Sequence, residues 1–234
     1  MGLREELSYK YLRGKGVEIG ALAWPLQVSE LAHVTYVDRL PRKQLLIHYP
    51  DAPAARVAEP DIICEGATLD SINDSSLDFL VANHLLEHLP DPLKALDNWF
   101  RVLRPMGILY LAVPDMQRTF DVDRPPTSLD HVIADSSDSR ERDPRIDFVH
   151  FLEWVTYVHH RFGHKPIPKA ELYKEAEKLQ RHCAESHGSI HFHTFQQETM
   201  LQVLSLTEKR CGARLVEFST NEPSNEFISI LQKL

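Results

Sequence analysis

The sequence predicts an α/β fold in which a mostly parallel sheet is covered by helices on both faces. Apolar segments of strand length alternate with helical segments over the first half of the 234-residue chain, a pattern typical of parallel sheets with right-handed crossovers. The strongly apolar run LDFLVAN indicates a central strand buried on both faces. Near the C-terminus, only a short turn separates two strands, so these must be antiparallel. We therefore predict seven strands that end in an antiparallel C-terminal hairpin.

Each predicted element has a local reason. An amphipathic helix is expected at Leu3–Arg13, and short helices at Gln27–Ala32 and Arg42–His48. Asp91 is suited to cap the next helix, and Pro92 is suited to its first turn. The predicted strands, read from their β-branched and apolar composition, are VEIG, HVTYVD, DIIC, LDFLVAN, ILYLAVP, ARLVEFST and NEFISILQK.

The regular alternation lapses over residues 116–193, which are rich in Asp, Ser, Pro and His. Nine of the thirteen histidines lie between His131 and His193. Helices are expected at Ile146–His160 and Lys169–His182. We interpret residues 116–193 as a His-rich insertion or lid after strand five, inside a single domain of residues 1–234. Its apolar residues are too scattered to predict a core of its own.

Two shorter patterns lie in and after this insertion. The aromatic series that begins at Phe148 and Phe151 has helical spacing and predicts a buried helix face. The charged run from Asp135 to Asp143 predicts a solvated loop. A helix from Gln196 to Cys211 is expected to end at Gly212, because glycine favours the position just past a helix.

Composition excludes several classes of function. The net charge of −8 argues against general nucleic-acid binding. No run of eighteen apolar residues and no basic-then-apolar N-terminus occur, so neither a membrane span nor a signal peptide is expected. The three cysteines, Cys64, Cys183 and Cys211, have neither zinc-site nor disulfide spacing. A cytoplasmic protein is expected, and the sequence carries no signal for its oligomeric state.

A nucleoside-binding pattern stands at the start of the sheet. Gly20 ends the first strand, and Asp38 ends the second strand eighteen positions later. In α/β sheets such a glycine lets the backbone approach a ligand, and such a carboxylate accepts hydrogen bonds from ribose hydroxyls. Glu18, directly before the turn, would repel a dinucleotide pyrophosphate but would attract a cationic ligand. An NAD(P)-type oxidoreductase remains an alternative, although the G-x-G-x-x-G pattern is missing.

The ordered motifs resemble those of the class I S-adenosylmethionine-dependent methyltransferases, and most closely the bacterial type 11 methyltransferase domains. VEIGA resembles the first glycine motif, YVD the ribose acid and ICEGATL the adenine-binding segment, while LDFLVANHLLEHLPDP and WFRVLRPMGILYLAVP resemble the fourth and fifth strand motifs. The resemblance implies a Rossmann-like fold and S-adenosyl-L-methionine as cofactor. Leu22 and Trp24 stand where the family has further glycines, so either the loop takes a different path or cofactor affinity is reduced.

The resemblance also implies which residues hold the cofactor. Glu18 would anchor the turn and the methionyl ammonium, Asp38 would bind the ribose diol and Glu65 would accept from the adenine amino group. Asn83 and His84 would lie near the sulfonium. The full implied set is Glu18, Gly20, Ala21, Leu22, Asp38, Glu65, Gly66, Ala67, Asn83 and His84.

The histidines provide the catalytic candidates. A hydroxyl or amine acceptor can need a general base, and histidine titrates near neutral pH. The candidates are His84, His191 and His193; the last two are predicted to share one side of an extended segment at the acceptor pocket. His84 and His88 flank Glu87 and, like the HFHTF run, invite a metal interpretation. Packing and surface roles explain both patterns better, and no metal is expected.

The sequence therefore predicts methyl transfer from S-adenosylmethionine to a small polar acceptor, such as a sugar or glycan precursor. The polar composition of the insertion and the lack of a basic surface favour this acceptor class. The alternatives are an NAD(P)-type oxidoreductase and a catalytically silent methyltransferase-like fold that acts as a binding module. Because the first turn contains only one glycine, the catalytically silent binding module remains an alternative.

Overall fold

The computed structural model describes residues 1–136, 144–161, 168–186 and 188–234. In these residues the strands are β1 Gly14–Ile19, β2 Ala32–Asp38, β3 Ile62–Ile63, β4 Leu77–Asn83, β5 Leu103–Pro114, β6 Ala213–Asn221 and β7 Glu226–Lys233. The helices are α1 Leu3–Tyr11, α2 Arg42–His48, α3 Pro92–Val102, α4 Leu129–Asp135, α5 Pro144–Arg161, α6 Lys169–Ser186 and α7 Gln197–Cys211.

All seven described strands form one sheet in the order β3-β2-β1-β4-β5-β7-β6. The first five strands pair in parallel, and β7 lies antiparallel between β5 and β6. This arrangement confirms the predicted Rossmann-like α/β fold and its antiparallel C-terminal hairpin. Gly212 ends α7 with φ 62°, as its position in the sequence predicts.

The core has two parts because alternate residues of a strand point to opposite faces of the sheet. Leu109 and Leu111 of β5 belong to a cluster that includes Trp99 of α3. Ile108 and Tyr110 of the same strand belong to a second cluster. Both faces of β5 are therefore buried, as expected for a central strand with helices on each side.

The segment predicted as a helix at Gln27–Ala32 is not helical, and β2 begins at Ala32. Its start is held by contacts from outside the segment. The backbone N–H of Leu26 donates to Glu18, and the hydroxyl of Ser8 donates to the carbonyl oxygen of Gln27. A helix this short gains few internal hydrogen bonds, so these tertiary contacts decide the conformation.

The insertion has a small apolar core, which corrects the expectation that its apolar residues are too scattered. Phe151 and Val155 of α5 pack with Ala176 of α6 and with Ile190. The predicted aromatic face of α5 supplies part of this cluster. The acidic run was also misjudged at its start, because Asp135 is buried at the end of α4; residues 137–143 of that run lie outside the described residues.

Candidate functional site

One cavity opens where β1, β2 and β4 end, the edge at which open parallel sheets bind ligands. Its volume is about 590 Å³, which suits a ligand of nucleoside-cofactor size. All ten residues of the predicted cofactor set line it: Glu18, Gly20, Ala21, Leu22, Asp38, Glu65, Gly66, Ala67, Asn83 and His84. The fold thus brings together side chains that are up to 66 positions apart in the sequence.

Glu18 is a buried carboxylate in the wall of this cavity. Only 1% of its surface is exposed, and each of its oxygens lies 3.0 Å from the backbone nitrogen of Leu26. The amide of Asn83 approaches at 3.5 Å. Burial raises the pKa of Glu18 to about 7, although the Leu26 hydrogen bond and the positive charge of Arg4 oppose the rise. A cationic group beside Glu18 would favour its ionised form.

The turn after β1 bends sharply although it contains a single glycine. Gly20 has φ 65°, and Leu22, at a position where the family has glycine, has φ 45°. A left-handed conformation costs a non-glycine residue about 1 kcal/mol. The carbonyl oxygen of Leu22 accepts from Ala58 at 2.7 Å, and that of Ala21 accepts from Trp24 at 2.9 Å. These hydrogen bonds therefore hold Leu22 in a conformation that a glycine would adopt without strain.

Asp38 and the Glu65 loop form another part of the wall. Asp38 accepts from the backbone nitrogen of Leu40 at 3.3 Å, and burial raises its pKa. Glu65 is exposed. The indole nitrogen of Trp99 donates to the carbonyl oxygen of Gly66 at 2.7 Å. Helix α3 therefore supports the Glu65 loop from the core side.

His84 is held at the cavity by a buried carboxylate. Its Nε2 lies 2.8 Å from Glu226, which also accepts from Arg4 at 2.7 Å and from Asn221 at 2.6 Å. Burial opposes ionisation of Glu226, but the hydrogen bonds from Arg4 and His84 outweigh it and lower its pKa to about 2. Because the ionised Glu226 can only accept, Nε2 of His84 carries the proton and Nδ1 is the basic nitrogen.

His191 belongs to a cluster beside the cavity. Its Nδ1 lies 2.6 Å from Asp121, and its ring centroid lies 4.6 Å from that of the cavity residue His88. Glu87, His88 and His191 each present one ligand-type atom within 4.8 Å of the others. Neither carboxylate oxygen of Glu87 has a hydrogen-bond partner among the described residues.

His193 lies in a different cluster, although the sequence predicted that it shares a pocket with His191. It is fully buried, does not line the cavity, and lies 3.8 Å from Asp135. The rings of His131 and His150 surround it at centroid distances of 6.0 and 5.3 Å. Burial lowers its pKa to about 3. The two histidines of the HFHTF run therefore lie in two different clusters, each with its own acidic partner.

Arg4 and His88 are cavity residues that reasoning from the sequence did not assign to the site. Arg4 lines the cavity but its partner Glu226 is 222 positions away, so no local pattern reveals it. His88 was interpreted as a packing or capping residue; its Nδ1 lies 3.0 Å from the carbonyl oxygen of Ile190 and 2.9 Å from the hydroxyl of Ser189. These contacts form only where the end of the insertion returns to the sheet, so the sequence alone does not reveal them.

A family model matches the part of the chain that contains most of the cavity residues. Residues 14–111 match a family described as a methyltransferase domain, and no curated protein matches the chain. The chain is similar to a SAM-dependent methyltransferase from Aquifex aeolicus, with 13% identity over 96% of this chain and 85% of that chain and a TM-score of 0.46. It is also similar to one from Methanosarcina mazei, with 19% identity over 100% and 99% of the two chains and a TM-score of 0.49. The matched residues 14–111 contain all ten predicted cavity residues, so the part of the chain that matches a methyltransferase domain is the part that builds most of the cavity.

Proposed function

We propose that the chain binds S-adenosylmethionine in the 590 Å³ cavity and transfers the methyl group to a small polar acceptor, of the class of sugars and glycan precursors. The observation that carries the proposal is the convergence of the ten predicted residues on one cavity that includes a buried carboxylate. The cofactor supplies a methyl group already activated by its sulfonium. The protein has chiefly to bind, orient and exclude water.

The proposed cofactor contacts are those that the resemblance to the methyltransferases implies. Glu18 would face the methionyl ammonium, because a nearby cation lowers the cost of ionising a buried acid. Asp38 would accept from the ribose hydroxyls and Glu65 from the adenine amino group. The remaining contacts would come from Gly20, Ala21, Leu22, Gly66, Ala67, Asn83 and His84.

His84 is the proposed general base. Glu226 lies 2.8 Å from its Nε2 and accepts the hydrogen bond from that nitrogen, which leaves Nδ1 as the proton acceptor. An orienting carboxylate imposes the same division of roles in other enzymes. His84 is exposed at the cavity, whereas His193 is fully buried elsewhere. His191, the third candidate, does not line the cavity.

The acceptor end of the cavity is proposed to lie beyond His84, where the insertion contributes the wall. Gly188, Ser189 and His88 line this part. Hydroxyl and imidazole groups of this kind hydrogen-bond to a hydroxylated ligand, which supports a sugar-like acceptor. The net charge of −8 supports a small molecule over a general nucleic-acid substrate.

The test is turnover of S-adenosylmethionine with a panel of sugars, nucleotide sugars and, for comparison, aromatic amines and phenols, with S-adenosylhomocysteine as the readout. We expect turnover with a hydroxylated polar acceptor. His84→Asn should lower kcat about 100-fold while cofactor affinity stays within a few fold. His182→Asn, a change at an exposed position on α6, is the matched control and should be neutral. Turnover of only aromatic acceptors would overturn the acceptor class, and normal turnover by His84→Asn would overturn the base.

We propose that residues 1–234 act as one domain and that the chain works in the cytoplasm. All three cysteines are free thiols, which suits a reducing compartment. No helix in the described part of the chain is long and apolar enough to cross a membrane. Recovery of the native protein in the membrane or extracellular fraction would overturn the location.

A further inference from the structure

Glu87 is a buried acid that the proposed reaction does not use. Only 1% of its surface is exposed, and neither of its oxygens has a hydrogen-bond partner among the described residues. An ionised carboxylate in such surroundings is unfavourable unless a cation or a set of donors compensates it. The arrangement therefore calls for a positive partner at this point.

The neighbouring histidines have the orientation of metal ligands. Nδ1 of His88 lies 3.0 Å from the carbonyl oxygen of Ile190, and this oxygen can only accept. Nδ1 therefore carries the proton, and Nε2, which lies 3.9 Å from Glu87, presents its lone pair. Metal-binding histidines in proteins commonly have their second nitrogen fixed in this way.

His191 has the same arrangement with a different orienting group. Its Nδ1 lies 2.6 Å from the carboxylate of Asp121, which also accepts from Arg124 at 2.9 Å. The carboxylate accepts the Nδ1 proton, so Nε2 has the lone pair. His84 flanks the group, with its Nδ1 3.7 Å from Glu87.

We propose that Glu87, His88 and His191 bind one divalent transition-metal ion beside the methyl-transfer cavity. Two imidazoles and one carboxylate form a ligand set that suits Zn²⁺, Mn²⁺ or Fe²⁺. Their ligand atoms lie within 4.8 Å of one another, somewhat wider than the roughly 3.4 Å between tetrahedral ligands of zinc, so the site contracts when the ion binds. Three protein ligands leave a coordination position for water or a substrate oxygen.

The position of the site gives the ion a role that rests on the proposed function. His88 belongs both to the ligand set and to the lining of the cavity. A hydroxyl of a polar acceptor bound there would reach the open coordination position. The ion would hold that oxygen in place and favour its deprotonation, while His84 lies on the same side of the cavity as the proton acceptor.

The test uses the full chain, freed of metal by a chelator that is then removed. Calorimetry with Zn²⁺ and with Mn²⁺ should find one ion per chain and a raised melting temperature. Glu87→Gln and His191→Ala should each weaken binding at least about 100-fold, since even outer-shell changes cost 10- to 100-fold. Glu87→Gln should fold at least as stably as the metal-free wild type, because it removes a buried unpaired charge.

Two control variants sharpen this test. His131→Ala alters the second histidine cluster, formed with Asp135 and His150, and His182→Ala alters an exposed histidine; both should bind the ion with wild-type affinity. Absence of binding by the wild type, or wild-type affinity in Glu87→Gln, would overturn the proposal. So would loss of binding in His131→Ala alone, which would place the ion in the other cluster.

A third readout separates this inference from the proposed function. Metal-free protein should still bind S-adenosylmethionine, because none of the three proposed ligands belongs to the ten-residue cofactor set. Normal methyl transfer by the metal-free protein would refute the proposed role of the ion and leave the proposed function intact. Loss of cofactor binding in metal-replete protein would sink the proposed function. Co²⁺ should give an absorption spectrum without a thiolate charge-transfer band; such a band would assign the ion to a cysteine and overturn the ligand set.

Discussion

At the scale of single residues, the site depends on carboxylates whose surroundings set opposite protonation behaviour. Burial raises the pKa of Glu18 to about 7, whereas hydrogen bonds lower that of Glu226 to about 2. Few hydrogen-bond donors surround Glu18, so its ionised form needs a cationic ligand. Glu226 already accepts hydrogen bonds from Arg4 and His84. Residue type alone does not separate these two roles; the number and charge of the partners does.

The raised pKa of Glu18 predicts pH-dependent cofactor binding. The ionised form binds the cofactor ammonium, so affinity should rise about tenfold per pH unit up to pH 7 and level off above it. Dividing the wild-type affinity by the Glu18→Gln affinity at each pH removes the effect that titration of the ligand itself has on binding. Calorimetry between pH 5.5 and 8.5, as about six points, would measure this ratio. A ratio that stays constant with pH would contradict the role of Glu18.

The same group predicts a change in stability without cofactor. Its folded pKa, about 7, lies above the ordinary value of 4.5. Its contribution is therefore fully present below pH 4.5 and is lost as pH rises through 7. Wild type should lose about 3 kcal/mol relative to Glu18→Gln across this window. Urea unfolding at each pH measures it, and parallel curves for the two proteins would exclude the shift.

Asp38 tests the ribose contact. Asp38→Ala removes charge-assisted hydrogen bonds and should weaken S-adenosylmethionine binding by about 1.5–3 kcal/mol. Stability should change little, since the residue ends β2 at the cavity. Asp61→Ala, which alters an exposed acid before β3, serves as the control for affinity. An unchanged dissociation constant in Asp38→Ala would refute the assignment.

At the scale of elements, the insertion behaves as two different parts. Val132 of α4 packs into the main core, whereas α5 and α6 share a cluster with residues 190 and 192. Few apolar contacts join a small satellite cluster to the sheet, and such regions open locally at lower free energy than the main core. The insertion should therefore loosen without unfolding of the sheet.

Phe151→Ala tests this independence. Removing the ring should cost the cluster about 3 kcal/mol and speed amide hydrogen exchange in α5 and α6, while β4 and β5 keep wild-type rates. Ile133→Ala, which alters an exposed side chain of α4, should change neither region. Equal acceleration in the sheet and the insertion would mean that they unfold as one unit.

The elements that the sequence predicted well are those whose local signals agree with their packing. Asp91 accepts from Lys94 at 2.9 Å and Pro92 begins α3, as capping chemistry predicts. The helix expected at Gln27–Ala32 failed because Glu18 and Ser8 hold that segment from outside it. The ten cavity residues were found because the motifs follow one another in sequence. The clusters around Glu87 and His193 were not, because their members meet only after the insertion folds back.

At the scale of the whole molecule, the two ends of the chain complete the site. The family match covers residues 14–111. Outside that range, Glu226 of β7 holds His84, and Arg4 of α1 donates to Glu226. A second pair joins α1 to β6 at the surface, where Lys10 lies 2.8 Å from Glu217. The buried pair and the surface pair differ chiefly in their exposure to solvent.

This difference predicts unequal effects of two matched changes. Glu226→Gln leaves Arg4 with a neutral partner inside the protein and should cost about 3 kcal/mol of unfolding free energy. Glu217→Gln breaks a partly exposed pair and should cost less than about 1 kcal/mol. Urea denaturation measures both. Equal losses would show that burial does not decide the strength of these pairs.

The central claim is that the cavity at the ends of β1, β2 and β4 is built for S-adenosylmethionine. Calorimetry of the full chain with S-adenosylmethionine, S-adenosylhomocysteine and NAD tests it most directly. We predict one molecule of either sulfur compound per chain, competition between the two, and binding weakened by Asp38→Ala. Heat from NAD alone, or identical binding of S-adenosylmethionine by wild type and Asp38→Ala, would contradict the account.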